Sequence, residues 1–240
     1  MAKDVLDRGA AFVGLVVLSP LLLLLCTLVW LSDGHSPFYV AQRARRGGSF
    51  RMIKIRSMVV HADQLGAAST AGDDRRITPV GRFIRRWKID ELSQLINVLR
   101  GDMSLVGPRP EVMSEVATYT EEERGLLAAK PGITDFSSIV FADEGEILRG
   151  AADPVLAYRQ LIRPGKSRLG LFYVEHRTIW LDLQLIALTL VRIVSAAWAL
   201  EGVCRVLAAR GASEELTSLA RRSYPLVPQA VPGRSEPFAE

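Results

Sequence analysis

The sequence predicts an α+β chain, mostly helical, in which an N-terminal membrane helix precedes one small globular domain. Three observations carry that prediction. An uncharged apolar run extends from Ala10 to Leu31, a β-branched and aromatic stretch lies between Pro37 and Val60, and two later segments repeat leucine and isoleucine at helical spacing. The chain has 240 residues, enough for one sizeable core with appendages. We divide it at residues 1–33 (membrane helix), 34–205 (globular domain) and 206–240 (a tail, partly disordered).

The apolar run is long enough to cross a hydrocarbon core, for which about 20 residues suffice. It is long for the core of a signal peptide, and no A-x-A cleavage site follows. Ser19-Pro20 falls near its middle, where proline removes a backbone donor and predicts a kink. Such a helix either spans the bilayer or dips in and returns, with Ser19 satisfying a freed carbonyl. The basic segment from Arg43 onward is placed in the cytoplasm by its charge, whereas Lys3 and Arg8 are offset by Asp4 and Asp7.

Phe38-Tyr39-Val40 and Phe50 to Ile55, separated by Arg45-Arg46-Gly47-Gly48, read as a hairpin. Residues His61 to Arg76 read as a helix start and a flexible loop, and Thr78-Pro79 opens a helix at Val80. Leu92, Leu95, Ile96 and Leu99 give a helix from about Lys88 to Leu99, stopped by Arg100-Gly101. A polar helix through Arg124 follows, then a break at Lys130-Pro131-Gly132 and a short helix at Pro154 to Gln160. From Ile179 to Leu200 a core or interfacial helix is expected, with Ile179, Leu183, Ile186, Leu190 and Ile193 on one face; Asp182 and Arg192 argue against a second span. The tail carries Pro225, Pro228, Pro232 and Pro237, which favour disorder near its end.

Charge is unevenly placed. Residues 33–109 hold fourteen basic and seven acidic side chains, against fourteen and seventeen in residues 110–240. A basic segment directly after an apolar run suits anionic headgroups or phosphate-bearing substrates. Nucleic acid is a weaker partner, because no helix-turn-helix, zinc-finger or RNA-binding signature accompanies the charge. Cys26 and Cys204 form neither a disulfide framework nor a metal spacing and fit a reducing, cytosol-facing protein. His35, His61 and His176 are scattered without metal spacing.

The densest chemistry lies between Arg82 and Pro110. Adjacent Asp90 and Glu91 either complement a helix dipole or reach a common ligand or metal at the helix start. Arg82, Arg85, Arg86 and Lys88 lie just upstream, and Arg109 is held between Pro108 and Pro110, so carboxylates sit among phosphate-capable cations. In such company one carboxylate can attack phosphorus while a second helps to hold Mg²⁺, whose preferred ligands are carboxylates and water. No P-loop or dinucleotide-binding glycine motif occurs.

Lys54-Ile55-Arg56-Ser57-Met58, Ile77 to Arg85, Asp90 to Pro110 and Lys130-Pro131-Gly132-Ile133-Thr134 together resemble the bacterial sugar transferase family, the small monotopic phosphoglycosyl transferases, over about residues 1–200. The resemblance implies a cytoplasmic catalytic domain on the bacterial inner membrane with interfacial amphipathic helices. It implies a ping-pong transfer of sugar-1-phosphate from a UDP-sugar to polyprenyl (undecaprenyl) phosphate, with loss of UMP, that initiates glycoconjugate assembly. Asp90 would be the nucleophile, Glu91 would help to hold Mg²⁺ with it, and Arg56, Arg85 and Arg109 would contact phosphate or nucleotide. Lys54, Pro108 and Pro110 join the substrate-binding set, and a homodimer is compatible with it. Ser19-Pro20 matches the family's helix-breaking pair, which implies a re-entrant helix with both ends cytoplasmic. Arg56 stands where the family usually has lysine. The run Asp135-Phe136-Ser137-Ser138-Ile139-Val140-Phe141 departs from the family pattern at a place that bears on sugar specificity, while Tyr173 and Trp180-Leu181-Asp182-Leu183 resemble its closing helix. The competing reading is a non-catalytic membrane module that binds anionic lipid, which explains the charge but not the Asp90 to Pro110 block.

Overall fold

The computed structural model describes residues 2–65 and 71–239. Helix α1 runs unbroken from Ala2 to Asp33, about 48 Å at 1.5 Å per residue. It is long and apolar enough to cross a membrane, and Val5, Val13, Val17, Leu24 and Leu31 point outward with more than half of each exposed. Pro20 lies inside it, and helical structure continues on both sides of Ser19-Pro20. The carbonyl that Pro20 leaves without its helical donor belongs to Val16, and Ser19 Oγ donates to it at 2.8 Å.

The inner face of α1 lies along the globular domain from end to end. Lys3 Nζ donates to Asp182 at 2.6 Å and Lys130 Nζ to Asp4 at 2.7 Å. Ser104 Oγ donates to the buried Asp7 at 2.6 Å. Ala11 and then Leu25 and Val29 enter two small cores, and Asp33 closes the helix on Arg56. Of the early charges, Lys3, Asp4 and Asp7 are thus tied to the domain by ion pairs and hydrogen bonds.

Strands β1 (Phe38–Arg45) and β2 (Gly48–Ile55) form the expected hairpin, pairing Phe38 with Ile55 and Arg45 with Gly48. Phe50 and Met52 share one face of β2 with Lys54 and pack against Leu95, Val98 and Met103; Ile55 turns the other way, towards Leu25, Val29 and Ile84. After the hairpin a 3₁₀ turn at Ala62–Gln64 is followed by residues 66–70, so part of the expected flexible loop lies outside the described residues. Helix α2 (Pro79–Arg86) opens as predicted, with Thr78 Oγ1 accepting from Gly81 N at 2.9 Å.

The helix expected from Lys88 to Leu99 is instead a 3₁₀ segment, Ile89–Gln94, running into the short α3 (Leu95–Arg100). Lys88 adopts a left-handed conformation (φ 53°), which ends α2 and redirects the chain; Gly101 (φ 84°) stops α3 as anticipated. Asn97 is fully buried and treats β2 as a strand would: its Oδ1 accepts from Ile53 N at 2.9 Å and its Nδ2 donates to Arg51 O at 2.7 Å.

Strand β3 (Ser104–Val106) pairs in parallel with β4 (Gly132–Thr134). The approach is so close that a Cβ on Gly107 would lie 2.2 Å from Lys130 O, and one on Gly132 would lie 2.1 Å from Gly107 N. Between them the expected polar helix through Arg124 is only α4 (Met113–Val116) and a 3₁₀ turn, Glu123–Ala128, because Glu115 and Glu123 turn inward to Arg163 rather than outward to water.

The main core gathers α5 (Phe136–Val140), α6 (Glu144–Ile147), α7 (Pro154–Ala157), α8 (Arg163–His176), α9 (Ile179–Val194), α10 (Ala196–Ala208) and α11 (Glu214–Arg221) around Phe136, Leu148, Leu169, Tyr173, Leu181, Leu185 and Leu207. The short helix expected at Pro154 continues through a π-helical turn, Tyr158–Ile162, into α8. The late apolar run is two helices divided at Ser195, whose Oγ accepts from Trp198 N at 3.3 Å. Of its predicted stripe, Ile179, Leu183, Leu190 and Ile193 are exposed while Ile186 packs against the main core, and Leu181 and Leu185 make the buried face. The boundary placed at residue 205 falls inside α10.

The tail is not the disordered segment its prolines suggested. Val231 is buried, Thr120 Oγ1 donates to Pro232 O at 2.6 Å and Gln160 Nε2 to Phe238 O at 2.7 Å. The Phe238 ring lies under the guanidiniums of Arg234, Arg163 and Arg159, with the first 4.3 Å from its centroid.

Asn97→Ala removes the side-chain partners of the Ile53 N–H and the Arg51 carbonyl of β2. It should lower unfolding stability by about 2–4 kcal/mol, read as a reduced denaturant midpoint; an unchanged midpoint would show that the amide does not hold β2.

Candidate active site

The 3₁₀ segment Ile89–Gln94 brings Asp90 and Glu91 against the end of β2. Ser93 Oγ lies 3.1 Å from both Ile53 O and Asp90 O, tying the segment to the strand one residue from Lys54. Lys54 Nζ then sits 3.0 Å from Glu91 Oε1 and 3.8 Å from Asp90 Oδ2. Two carboxylates that cannot face each other along the chain thus converge on one ammonium.

Arg109 reaches the same oxygen of Glu91, with Nη2 to Oε1 at 2.7 Å. Its position is set by backbone contacts on both flanks. Gly107 N donates to Thr134 O and Gly132 N to Pro108 O, each at 3.0 Å, while Pro108 and Pro110 are buried. The Gly107-Pro108-Arg109-Pro110 and Lys130-Pro131-Gly132 motifs are therefore two sides of one brace that aims a guanidinium.

The two acids are driven apart electrostatically. Burial is the main influence on Asp90 and raises its carboxyl, helped by Glu91 and opposed by Lys54, Arg85 and Arg109. Burial also works to raise Glu91, but Arg109 and Lys54 overcome it and hold that carboxyl well below the usual range. Glu91 in turn raises Arg109. One carboxylate is locked between cations and the other is less committed and more basic.

Of the residues singled out in the sequence, the fold brings Lys54, Arg85, Asp90, Glu91 and Arg109 together. Arg85, on α2, has no ion pair among the described residues but bears electrostatically on Asp90. Arg56 is not part of this group. Its guanidinium is spent on Asp33, and its Nε donates to Ser36 O at 2.8 Å, so it fastens the end of α1 to β2. Ser19 and Pro20 serve the interior of α1, as described above. Asn97 and Ser93, which position the dyad, were inside the motif but carried no charge to mark them. Glu144, paired with Lys166, also bears on Arg109, and only folding brings it near.

Among the described residues no group of three or more His, Cys, Asp or Glu side chains comes together as a metal cage. Asp90 and Glu91 both approach the Lys54 ammonium, and as two hard carboxylates they are of the ligand type that Mg²⁺ would take together with water or substrate phosphates.

A family model described as bacterial sugar transferase matches residues 1–196. The chain is 33% identical over 201 residues to the galactosyl transferase CpsE of Streptococcus agalactiae serotype III (strain NEM316), covering 79% of this chain and 41% of that protein. It is 39% identical over 150 residues to the exopolysaccharide production protein ExoY of Rhizobium meliloti (strain 1021), covering 56% and 66%. It is 35% identical over 193 residues to the UDP-glucose:undecaprenyl-phosphate glucose-1-phosphate transferase of Caulobacter vibrioides (strain ATCC 19089 / CIP 103742 / CB 15), covering 79% and 68%. The chain thus spans less than two thirds of the length of the first two of these relatives.

The opposed electrostatics of the dyad give opposite stability effects. A carboxyl raised in the folded state favours folding at low pH, a contribution lost as pH rises through the folded value; a depressed one favours folding above its unfolded value and loses that as pH falls. At pH 7 Asp90→Asn should therefore raise the melting temperature, and Glu91→Gln should lower stability by about 2 kcal/mol by leaving Arg109 and Lys54 poorly compensated. Differential scanning calorimetry of both variants checks the sign, and a fall in both would refute it.

Proposed function

The chain belongs to the bacterial sugar transferase family, and on that basis we propose that it transfers a sugar-1-phosphate from a UDP-sugar to polyprenyl phosphate at the Asp90–Glu91 site. The observation that carries the reading is the convergence of both carboxylates on Lys54, with Arg109 and Arg85 close by. The names of relatives support the substrates: one acts between UDP-glucose and undecaprenyl phosphate, another between UDP-N-acetylgalactosamine and undecaprenyl phosphate.

Chemically, an Asp90 oxygen attacks the β-phosphorus of the UDP-sugar. A new carboxylate–phosphorus bond forms, the bond from that phosphorus to the bridging oxygen breaks, and UMP carries the electron pair away. An oxygen of the polyprenyl phosphate then attacks the same phosphorus and releases Asp90. Asp90 suits the nucleophile's part because burial and Glu91 make it the more basic acid, while cations around it screen an approaching phosphate. Glu91 suits a holding part, since its charge is fixed by Arg109 and Lys54. Mg²⁺, held by Asp90 and Glu91 as a phosphate binds, would neutralise charge on the phosphate oxygens. Arg109 and Arg85 supply directional donors to the diphosphate.

The apolar outer face of α1 and the outward stripe of α9 support a membrane seat. The docking of both ends of α1 on the same domain supports a helix that enters and leaves on one side, and the basic bias of residues 33–109 supports the cytoplasmic side.

The test is UMP release from a panel of UDP-sugars by purified chain with undecaprenyl phosphate and Mg²⁺. Asp90→Asn should reduce release at least a thousandfold while the protein stays folded; full activity in that variant sinks the assigned nucleophile. The acid limb of the wild-type pH profile should lie above the ordinary aspartate value, because Asp90 must be ionised to attack and its carboxyl is raised. Lys54→Met, which removes a group that lowers Asp90, should move that limb to higher pH.

A further inference from the structure

Arg109 pairs with Glu91, and it also lines a recess, of which Glu91 is not a part, with Glu111, Tyr119, Asp135, Tyr158 and Lys166. A second depression abuts it and shares Arg109, Glu111 and Tyr119.

Most polar groups in the recess are already committed. Asp135 accepts from the hydroxyls of Ser137 and Ser138 and from Ser138 N. Lys166 pairs with Glu144 and lies 5.0 Å from the centre of the Tyr158 ring. Tyr158 OH donates to Glu111 Oε1 at 2.7 Å. What remains, among the described residues, is the other carboxylate oxygen of Glu111 and the hydroxyl of Tyr119, neither of which has a hydrogen-bond partner. Burial raises both tyrosines, so each keeps its phenolic proton.

The chemistry of this pair selects among the parts of the donor and acceptor. A carboxylate repels the diphosphate and the polyprenyl phosphate but accepts hydrogen bonds from adjacent hydroxyls, and a phenol adds a donor and an apolar ring face. The position agrees, because the sugar hangs from the same phosphorus that Asp90 would attack and Arg109 spans the distance between that dyad and the recess. The unpaired cation Arg85 bears on Asp90, where phosphate charge would gather, and is not among the recess residues. Resting on the reading of the dyad as a UDP-sugar site, we infer that the recess is the sugar subsite, with Glu111 accepting from hydroxyls of the transferred sugar and Tyr119 flanking its ring. Asp135 and Ser137, from the run that departs from the family pattern, form part of its wall and shape which sugars enter.

Binding separates this from a nucleotide subsite. In full-length Asp90→Asn protein in lipid nanodiscs, donors stay intact, and calorimetry reads the affinities of UMP, UDP-glucose, UDP-galactose, UDP-N-acetylglucosamine and UDP-N-acetylgalactosamine. Adding Glu111→Gln, which can still accept from Tyr158, should weaken the best-bound UDP-sugar about tenfold or more and leave UMP unchanged. Tyr119→Phe should weaken the same sugar by a smaller factor and again spare UMP. Equal loss for UMP and the UDP-sugar would make the recess a nucleotide subsite and overturn the inference, as would no loss for any donor in either variant. Selective loss upholds the subsite even if the Asp90-intact chain released no UMP, a result that would count against the transfer reaction alone.

Discussion

A single buried amide holds the frame on which the rest depends. Asn97 occupies the free edge of β2, accepting from Ile53 N and donating to Arg51 O. This fixes the register of α3 against the hairpin. Because Lys54 is the next residue along β2, and Asp90 and Glu91 begin the turn that leads into α3, the same contact sets the distance between the ammonium and the acids. An apolar residue could fill the volume but would leave two backbone groups of β2 without partners.

With that frame fixed, the site works by dividing two neighbouring carboxylates into unlike groups. Glu91 has Arg109 and Lys54 within hydrogen-bonding reach and keeps its charge. Asp90 is 3.8 Å from Lys54 and feels burial more than compensation. The cost of an under-compensated buried acid falls on folding, and the stability that offsets it comes from elsewhere, chiefly the apolar core around Phe136, Tyr173 and Leu185.

The outer parts of the chain follow a different logic. α1 carries charge only near its ends, and each charged end is tied inward: Lys3 to Asp182, Asp4 to Lys130, Asp33 to Arg56. Its middle shows apolar side chains outward, as does α9. The tail closes the opposite flank, where Phe238 lies under three guanidiniums that would otherwise stand close together.

The sequence alone determined what depends on local pattern: the apolar helix, the hairpin, the Thr78-Pro79 start of α2, the Gly101 stop, and the clustering of Asp90 and Glu91 with basic residues and a rigid Arg109. These are set by spacing of two or four residues, by caps and by proline, all of which act over short distances. Tertiary structure decided what depends on partners far away. It gave Arg56 to Asp33 rather than to the dyad, continued α1 on both sides of Pro20, and turned all of the Ile179 stripe but Ile186 outward because Leu181 and Leu185 had the core. It also folded a proline-rich tail, since arginines more than 70 residues upstream offered Phe238 a seat. Residue type and spacing specify which side chains can bond; which of the competing partners each one takes is a matter of distance, and distance exists only once the chain has closed on itself.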